Sequence, residues 1–230
     1  MKKLTAALKK QITNDWQALF PELVVLEPMM LARRVGPLVQ GVCLDRRAGD
    51  VYVPTTFVHC LCRVFPGVSL TLGQPLTSER NGAQTSIKAH FHEDHFVSAA
   101  QRLRESSLLS FAGDWDMSEV LSAYRAYRLF DRLEARFPVF LTEDAVSLWA
   151  WLGEVEQGRL LASHTLAEAQ EWPPHVLARF GGVGEWQKTL DALATDVDRV
   201  RGNVDRQVET YSLGKLPLSR LSAERSAVLH

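Results

Sequence analysis

Apolar residues first recur at steps of three and four: Leu4, Leu8, Ile12, Trp16, Leu19, Phe20 and Leu23. That spacing lays one stripe along a helix of about five turns, with Lys2, Lys3, Lys9 and Lys10 off the stripe in water. Pro21 removes an N–H the next turn needs, so the helix closes near Phe20. The period then changes. Leu23–Leu31 is apolar and β-branched and is broken by Pro28. Leu38–Leu44 leads through the polar run Asp45-Arg46-Arg47-Ala48-Gly49-Asp50 to Val51-Tyr52-Val53, which predicts a β-hairpin. After Pro54, alternation places Val58, Cys60, Cys62 and Val64 on one face of a further strand, opposite Phe57, His59, Leu61 and Arg63. A short helix fits the same run. Val68–Leu72 alternates as another strand, and Thr77–Thr85 is a polar loop.

From His92 onward the helical spacing returns. Phe96, Ala100, Leu103 and Leu108 mark one helix. Asp116-Met117-Ser118-Glu119 has capping-box spacing and opens a second, with Val120, Tyr124, Tyr127 and Leu133 inward. Thr142 is expected to cap a third, with Val146, Trp149, Leu152 and Val155 on its apolar side. Thr165-Leu166-Ala167-Glu168 reads as another capping box, on a short helix stopped before Pro173-Pro174, and Gly181-Gly182 breaks the chain again. Trp186, Leu190, Leu193, Val197, Val200, Val204, Val208 and Tyr211 then keep the stripe for about seven turns, with Gly202 and Asn203 weakening its middle. The expected fold is α+β: an N-terminal helix with a small, mostly antiparallel sheet, followed by a helical C-terminal half with a long final helix. Residues 1–85 form the first part and 86–230 the second, with Gln74–Thr85 as the linker if the two are separable.

Composition narrows the class of protein. With 230 residues, 46% of them hydrophobic and 23% charged, the chain has the make-up of a folded globular protein. A net charge of -1 argues against a coat for nucleic acid. The balance conceals an asymmetry: residues 1–90 hold eleven Lys and Arg against six Asp and Glu, while residues 91–230 hold fifteen against twenty-one. No secretory leader and no uninterrupted membrane-spanning stretch is apparent. Cys43, Cys60 and Cys62, an odd number in apolar segments, point to reduced thiols and a cytoplasmic setting.

The densest chemistry lies in Ala89-His90-Phe91-His92-Glu93-Asp94-His95-Phe96. Over about six residues, the spacing His90-x-His92-x-Asp94-His95 resembles the metal-binding motif of the metallo-β-lactamase superfamily. The resemblance implies zinc, with His90 and His92 on one ion and Asp94 and His95 on a second, poised for metal-dependent hydrolysis. It also implies strands after the motif and a downstream His, Asp and His at strand ends. Here the chain continues as helices, and Asp114, His164 and His175 stand in no such context. The alternative is structural: Glu93 and Asp94 are acids in a helix's first turn, where the macrodipole favours them. On that reading the chain needs no cofactor, and the cluster marks the seam where sheet hands over to helices. His59-Cys60-Leu61-Cys62 lacks the second ligand pair of a zinc site and reads as core thiols.

Arg125, Arg128, Arg132 and Arg136 form a stripe beside Tyr124 and Tyr127, a combination able to grip phosphates and stack bases. Asp131 and Glu134 lie among these arginines and can pair with them along the helix. No Gly-Lys-Ser/Thr phosphate loop, dinucleotide Gly pattern or Gly-x-Ser-x-Gly elbow occurs. The function expected is therefore that of a non-enzymatic protein–protein binding subunit, an accessory or inhibitory component of a larger cytoplasmic assembly. Its partner is another protein, either a second copy or a larger complex, and the stripe from Trp186 to Tyr211 is the expected interface. The alternatives are a zinc hydrolase at His90–His95 and a nucleic-acid-associated factor using the basic first part and the arginine stripe.

Overall fold

In the computed structural model, which describes residues 4–129 and 137–224, Thr5 starts the first helix by accepting the Leu8 N–H at 3.2 Å. Helix α1 (Ala6–Leu19) buries Ile12, Thr13 and Trp16 and stops at Phe20, before Pro21. Strands β1 (Val24–Glu27) and β2 (Met30–Val35) make a hairpin whose turn puts Met29 at φ 73. A methionine in that left-handed region costs roughly 1 kcal/mol. Thr13 Oγ1 holds it there by accepting the Met29 N–H at 2.9 Å. Strands β3 (Leu38–Arg46) and β4 (Val51–Cys60) follow as the expected hairpin, and the sheet runs in the order β1-β2-β3-β4. The short β5 (Gln74–Pro75) and β6 (Ile87–Lys88) both pair antiparallel with β4. Gly41 is required where β3 crosses β2, because a Cβ there would lie 2.1 Å from the Leu31 carbonyl oxygen.

Two strand expectations need correction. The run after Pro54 is strand only as far as Cys60, so Cys62 and Val64 lie beyond it. Val68–Leu72 is not a strand, although Leu72 N–H still reaches the Val58 carbonyl at 3.2 Å. Ser69 is instead held by its own contacts to the His59 ring: its N–H donates to Nδ1 at 3.2 Å and its Oγ lies 2.8 Å from the same nitrogen. Those side-chain bonds compete with a ladder.

Helix α2 (His92–Ser106) belongs to the sheet: Phe96, Ala99, Ala100 and Leu103 join Ile12, Trp16, Phe20, Leu31, Tyr52 and Phe111 in one core. The chain accordingly does not divide at residues 74–85. One compact unit, the sheet unit, comprises Met1–His59, Gly67–Asp114 and Leu213–Arg220; the other, the helical unit, comprises Cys60–Pro66, Trp115–Ser212 and Leu221–His230. Within the sheet unit the chain returns to the sheet just after Pro217. Strand β8 (Leu218–Ser219) pairs parallel with β2, and buried Arg33 donates to the carbonyls of Ser110 and Gly113 at 3.0 and 2.9 Å.

In the helical unit, β7 (Trp115–Asp116) pairs parallel with β9 (Leu221–Ser222), and Asp116 then opens α3 (Met117–Tyr127) with the capping box its spacing predicts. Thr142 caps nothing: α4 (Val139–Leu152) starts at Pro138 and is buried nearly all round. Thr165 also lies inside a helix, α5 (Val155–Ala169), where its hydroxyl donates to the Leu161 carbonyl at 3.0 Å. The single turn α6 (Pro174–Leu177) precedes Gly181 and Gly182, both at positive φ. The final stripe is carried by two helices, α7 (Val183–Thr195) and α8 (Val197–Thr210). Asp196 divides them at ψ 71 by accepting the Arg199 N–H on its own carboxylate, so a good N-cap interrupts a continuous apolar pattern.

Candidate functional site

The histidine cluster separates as its partners draw it apart. His90, in a short 3-10 turn, is exposed and places Nδ1 2.9 Å from Asp50 Oδ2 in the β3–β4 loop. This contact holds the Asp50 carboxyl below its usual range. His92 is buried: Nδ1 lies 2.7 Å from the Tyr52 hydroxyl, and Nε2 lies 3.1 Å from Asp15 on α1. The Asp15 carboxylate only accepts, so His92 Nε2–H donates to it; in the neutral imidazole Nδ1 then accepts the Tyr52 O–H, while the Tyr52 oxygen accepts the Trp16 indole N–H at 3.3 Å. Every side-chain polar atom of Trp16, Tyr52 and His92 thus has a partner. Burial pushes the Tyr52 phenol well above its usual value. Asp94 and His95 are exposed, and the His95 ring edges toward Phe91 at 6.3 Å. Among the described residues no group of three or more His, Cys, Asp and Glu is placed to hold a metal ion.

The two neighbours therefore respond differently to truncation. His90→Ala changes stability by less than about 0.5 kcal/mol, because it removes an exposed contact. His92→Ala costs about 2 kcal/mol, because the buried Tyr52 hydroxyl loses its acceptor. Urea unfolding of both variants followed by tryptophan fluorescence checks this. Equal losses at the two positions contradict it.

A second polar cluster lies wholly within the helical unit. Helix α4 has no polar face, yet it carries Glu143 and Asp144 inward, and Arg63 answers both. Arg63 Nε donates to Asp144 Oδ1 at 2.7 Å, Nη1 to Glu143 Oε2 at 2.5 Å, and Nη2 to the Phe140 carbonyl at 3.3 Å. The second Glu143 oxygen accepts the Trp186 indole N–H at 3.1 Å. Burial pulls the Arg63 guanidinium down, but the facing carboxylates more than offset that and hold it above its usual value. One guanidinium cannot balance two carboxylates in a dry site, so desolvation lifts Glu143 and raises the deeper Asp144 to about 6. Burial likewise pushes the Cys62 thiol and the Tyr124 phenol far up, which makes both inert near neutrality. This cluster fixes α4 against the Cys60–Pro66 segment. Nothing in the spacing of the sequence pairs Arg63 with residues eighty positions away. The available signal is two adjacent acids in a helix with no polar side, and an arginine inside the apolar run Leu61-Cys62-Arg63-Val64.

The surface feature best suited to a ligand is an open groove of about 300 Å³ between α3, α4 and α5. Leu121, Tyr124, Pro138, Leu141, Ala145 and Leu161 give it an apolar floor, and Arg125, Arg128, His164 and Glu168 stand at its rim. Arg125 in the last turn of α3 and Arg128 at its C-cap sit one turn apart, as the arginine stripe implies; Arg132 and Arg136 lie outside the described residues. Tyr124 and Tyr127 are buried rather than displayed, so they offer no stacking face to bases. Glu168 divides its carboxylate between Arg128 Nη2 at 3.4 Å and His164 Nδ1 at 3.5 Å. Long, exposed pairs of this kind contribute about 0–1 kcal/mol.

The stripe expected to face a partner is spent inside the helical unit. Trp186, Leu190, Leu193, Val200 and Val204 are buried, the first three in one cluster with Val139, Val146 and Ala162. Val197, Val208 and Tyr211 are half-buried, and the Tyr211 hydroxyl donates to the Phe65 carbonyl at 2.6 Å. Gln207, between them, is buried because its side-chain amide donates to the Leu61 and Arg63 carbonyls at 2.6 and 2.9 Å. The helix thus completes the backbone hydrogen bonds of a segment that has left the sheet.

Compared with protein-family models, curated proteins and solved structures, the chain matches none. Among the described residues no helix is long and apolar enough to cross a membrane.

Proposed function

We propose that the protein is a non-enzymatic binding subunit and that another protein docks in the α3–α4–α5 groove. The observation that carries this reading is the groove itself: an apolar floor open to solvent beneath a charged rim, on a rigid helical scaffold. Such a floor gains by covering, since apolar area withdrawn from water is the main favourable term in association. Support also comes from how the reactive-looking side chains are used. His92, Tyr52, Arg63, Glu143 and Asp144 are each hydrogen-bonded to internal partners and act as struts.

Photo-crosslinking tests the reading. p-Benzoylphenylalanine at half-buried Leu121 in the groove captures a discrete protein in the native cells, whereas the same group at exposed Asp205 on α8 does not. The captured protein, once purified, binds the wild-type chain and binds Leu121→Glu about tenfold more weakly, as expected for a charge in an apolar contact. Equal capture from both positions, or equal binding to Leu121→Glu, refutes the groove as the docking site.

A further inference from the structure

Resting on that reading, the geometry points to a partner segment that sets a carboxylate beside an apolar side chain, with Glu168 holding the carboxylate's place in the free chain. Arg125 and Arg128 present two guanidiniums to the groove, and among the described residues Glu168 is the acid lining it. Among the described residues Arg125 makes no ion pair; its Nε donates to the Leu121 carbonyl of its own helix at 3.2 Å. Among the described residues the rim therefore has one guanidinium more than it has carboxylates, directly above an apolar floor.

Glu168 meets its partners only at 3.4 and 3.5 Å, beyond the 2.7–2.9 Å of a close charge-assisted bond. An incoming carboxylate that approached Arg128 and Arg125 at close range makes the stronger contact and releases Glu168 to water. Guanidinium forks suit planar carboxylates, and the floor rewards an aliphatic or aromatic neighbour to that acid. A segment with glutamate or aspartate next to leucine meets both demands. A lysine-rich segment meets the floor but is repelled by the rim. Glu168 is thereby an internal competitor that lowers affinity for acidic partners, while Arg125 disfavours purely apolar ones, which desolvate it without supplying an anion.

Fluorescence anisotropy with the full chain tests this. The three labelled peptides share two leucines one helical turn apart and differ only in flanking residues, which are glutamate, glutamine or lysine. The expected order is glutamate about tenfold tighter than glutamine, with lysine weaker than both, and the gap narrowing at high salt. Glu168→Gln tightens the glutamate peptide by about threefold and leaves the glutamine peptide unchanged, while Arg125→Glu weakens the glutamate peptide by about tenfold. Circular dichroism of both variants confirms that the fold is intact, since both residues are exposed or half-exposed. Equal affinity for the glutamate and glutamine peptides, or no response to Glu168→Gln, overturns the inference while leaving the groove as a docking site. Binding by none of the three overturns the inference alone if the Leu121 crosslink still forms. Loss of both binding and crosslink overturns the reading beneath it.

Discussion

Arg63→Met destabilises the helical unit by about 4 kcal/mol, the scale on which removing one partner of a buried ion pair is felt. The change in side-chain volume is small, but the charge removed is central. It leaves Asp144 at 1% exposure and Glu143 at 9% facing each other without a cation between them. It also removes the donor to the Phe140 carbonyl and the guanidinium that lies over the Phe65 and Phe140 rings at 4.9 and 5.5 Å. Arg63→Lys recovers only part of the loss, because an ammonium is a point charge and cannot reproduce bonds to two different carboxylates from one planar fork. Urea unfolding followed by the fluorescence of Trp186, whose indole donates to Glu143, measures it. A double-mutant cycle with Asp144→Asn isolates the pair, and the double variant is less destabilised than the sum of the singles. Arg63→Met within about 1 kcal/mol of wild type contradicts the cluster as drawn.

The same cluster shows where sequence reading stops. The first helix, the hairpin at Asp45–Asp50 and the Asp116–Glu119 capping box are all legible, because each depends on residues within one turn or one hairpin of each other. Thr142 and Thr165 carry equally good local signals and fail. A threonine with acids close behind it is a cap only if a helix begins there, and both positions are buried by packing that local spacing does not encode. The continuous stripe from Trp186 to Tyr211 likewise reports a buried face correctly. Asp196 can cap without disturbing that spacing, so two helices look like one.

The histidines make the point for the candidate site. His90, His92 and His95 are close in sequence, but the partners that decide their roles are Asp50 and Tyr52, forty residues away, and Asp15, seventy-seven away. One ring is drawn to a loop, one into the core, and one is left in water. The groove was less legible still. Its arginines are visible as a stripe on one helix, whereas its floor exists only once α3, α4 and α5 are assembled.

Stability of the helical unit should also depend on pH through Asp144, and with the opposite sign to most acids. Burial raises this carboxyl from the ordinary 3.8 to about 6, with Arg63 offsetting the effect only in part. Between those pH values the folded chain binds the proton more tightly than the unfolded chain. The corresponding stability is fully present below pH 3.8 and is lost as pH rises through 6. At 1.36 kcal/mol per pH unit, the interval corresponds to about 3 kcal/mol. Glu143, also raised by burial, acts in the same direction. Glu22 acts in the other: Arg104 holds it low, so its contribution is present above its unfolded value and disappears with acid. Total stability mixes these slopes, and only the difference between wild type and Asp144→Asn separates them. Asparagine cannot ionise, so the variant should lose ground to wild type below pH 5 and regain about 3 kcal/mol of it by pH 7.5. A difference that stays flat across that range would mean Arg63 cancels the burial cost outright. The buried pair would then be neutral for the fold, and only a variant that loses ground to wild type as pH rises would mean that the ion pair strengthens it.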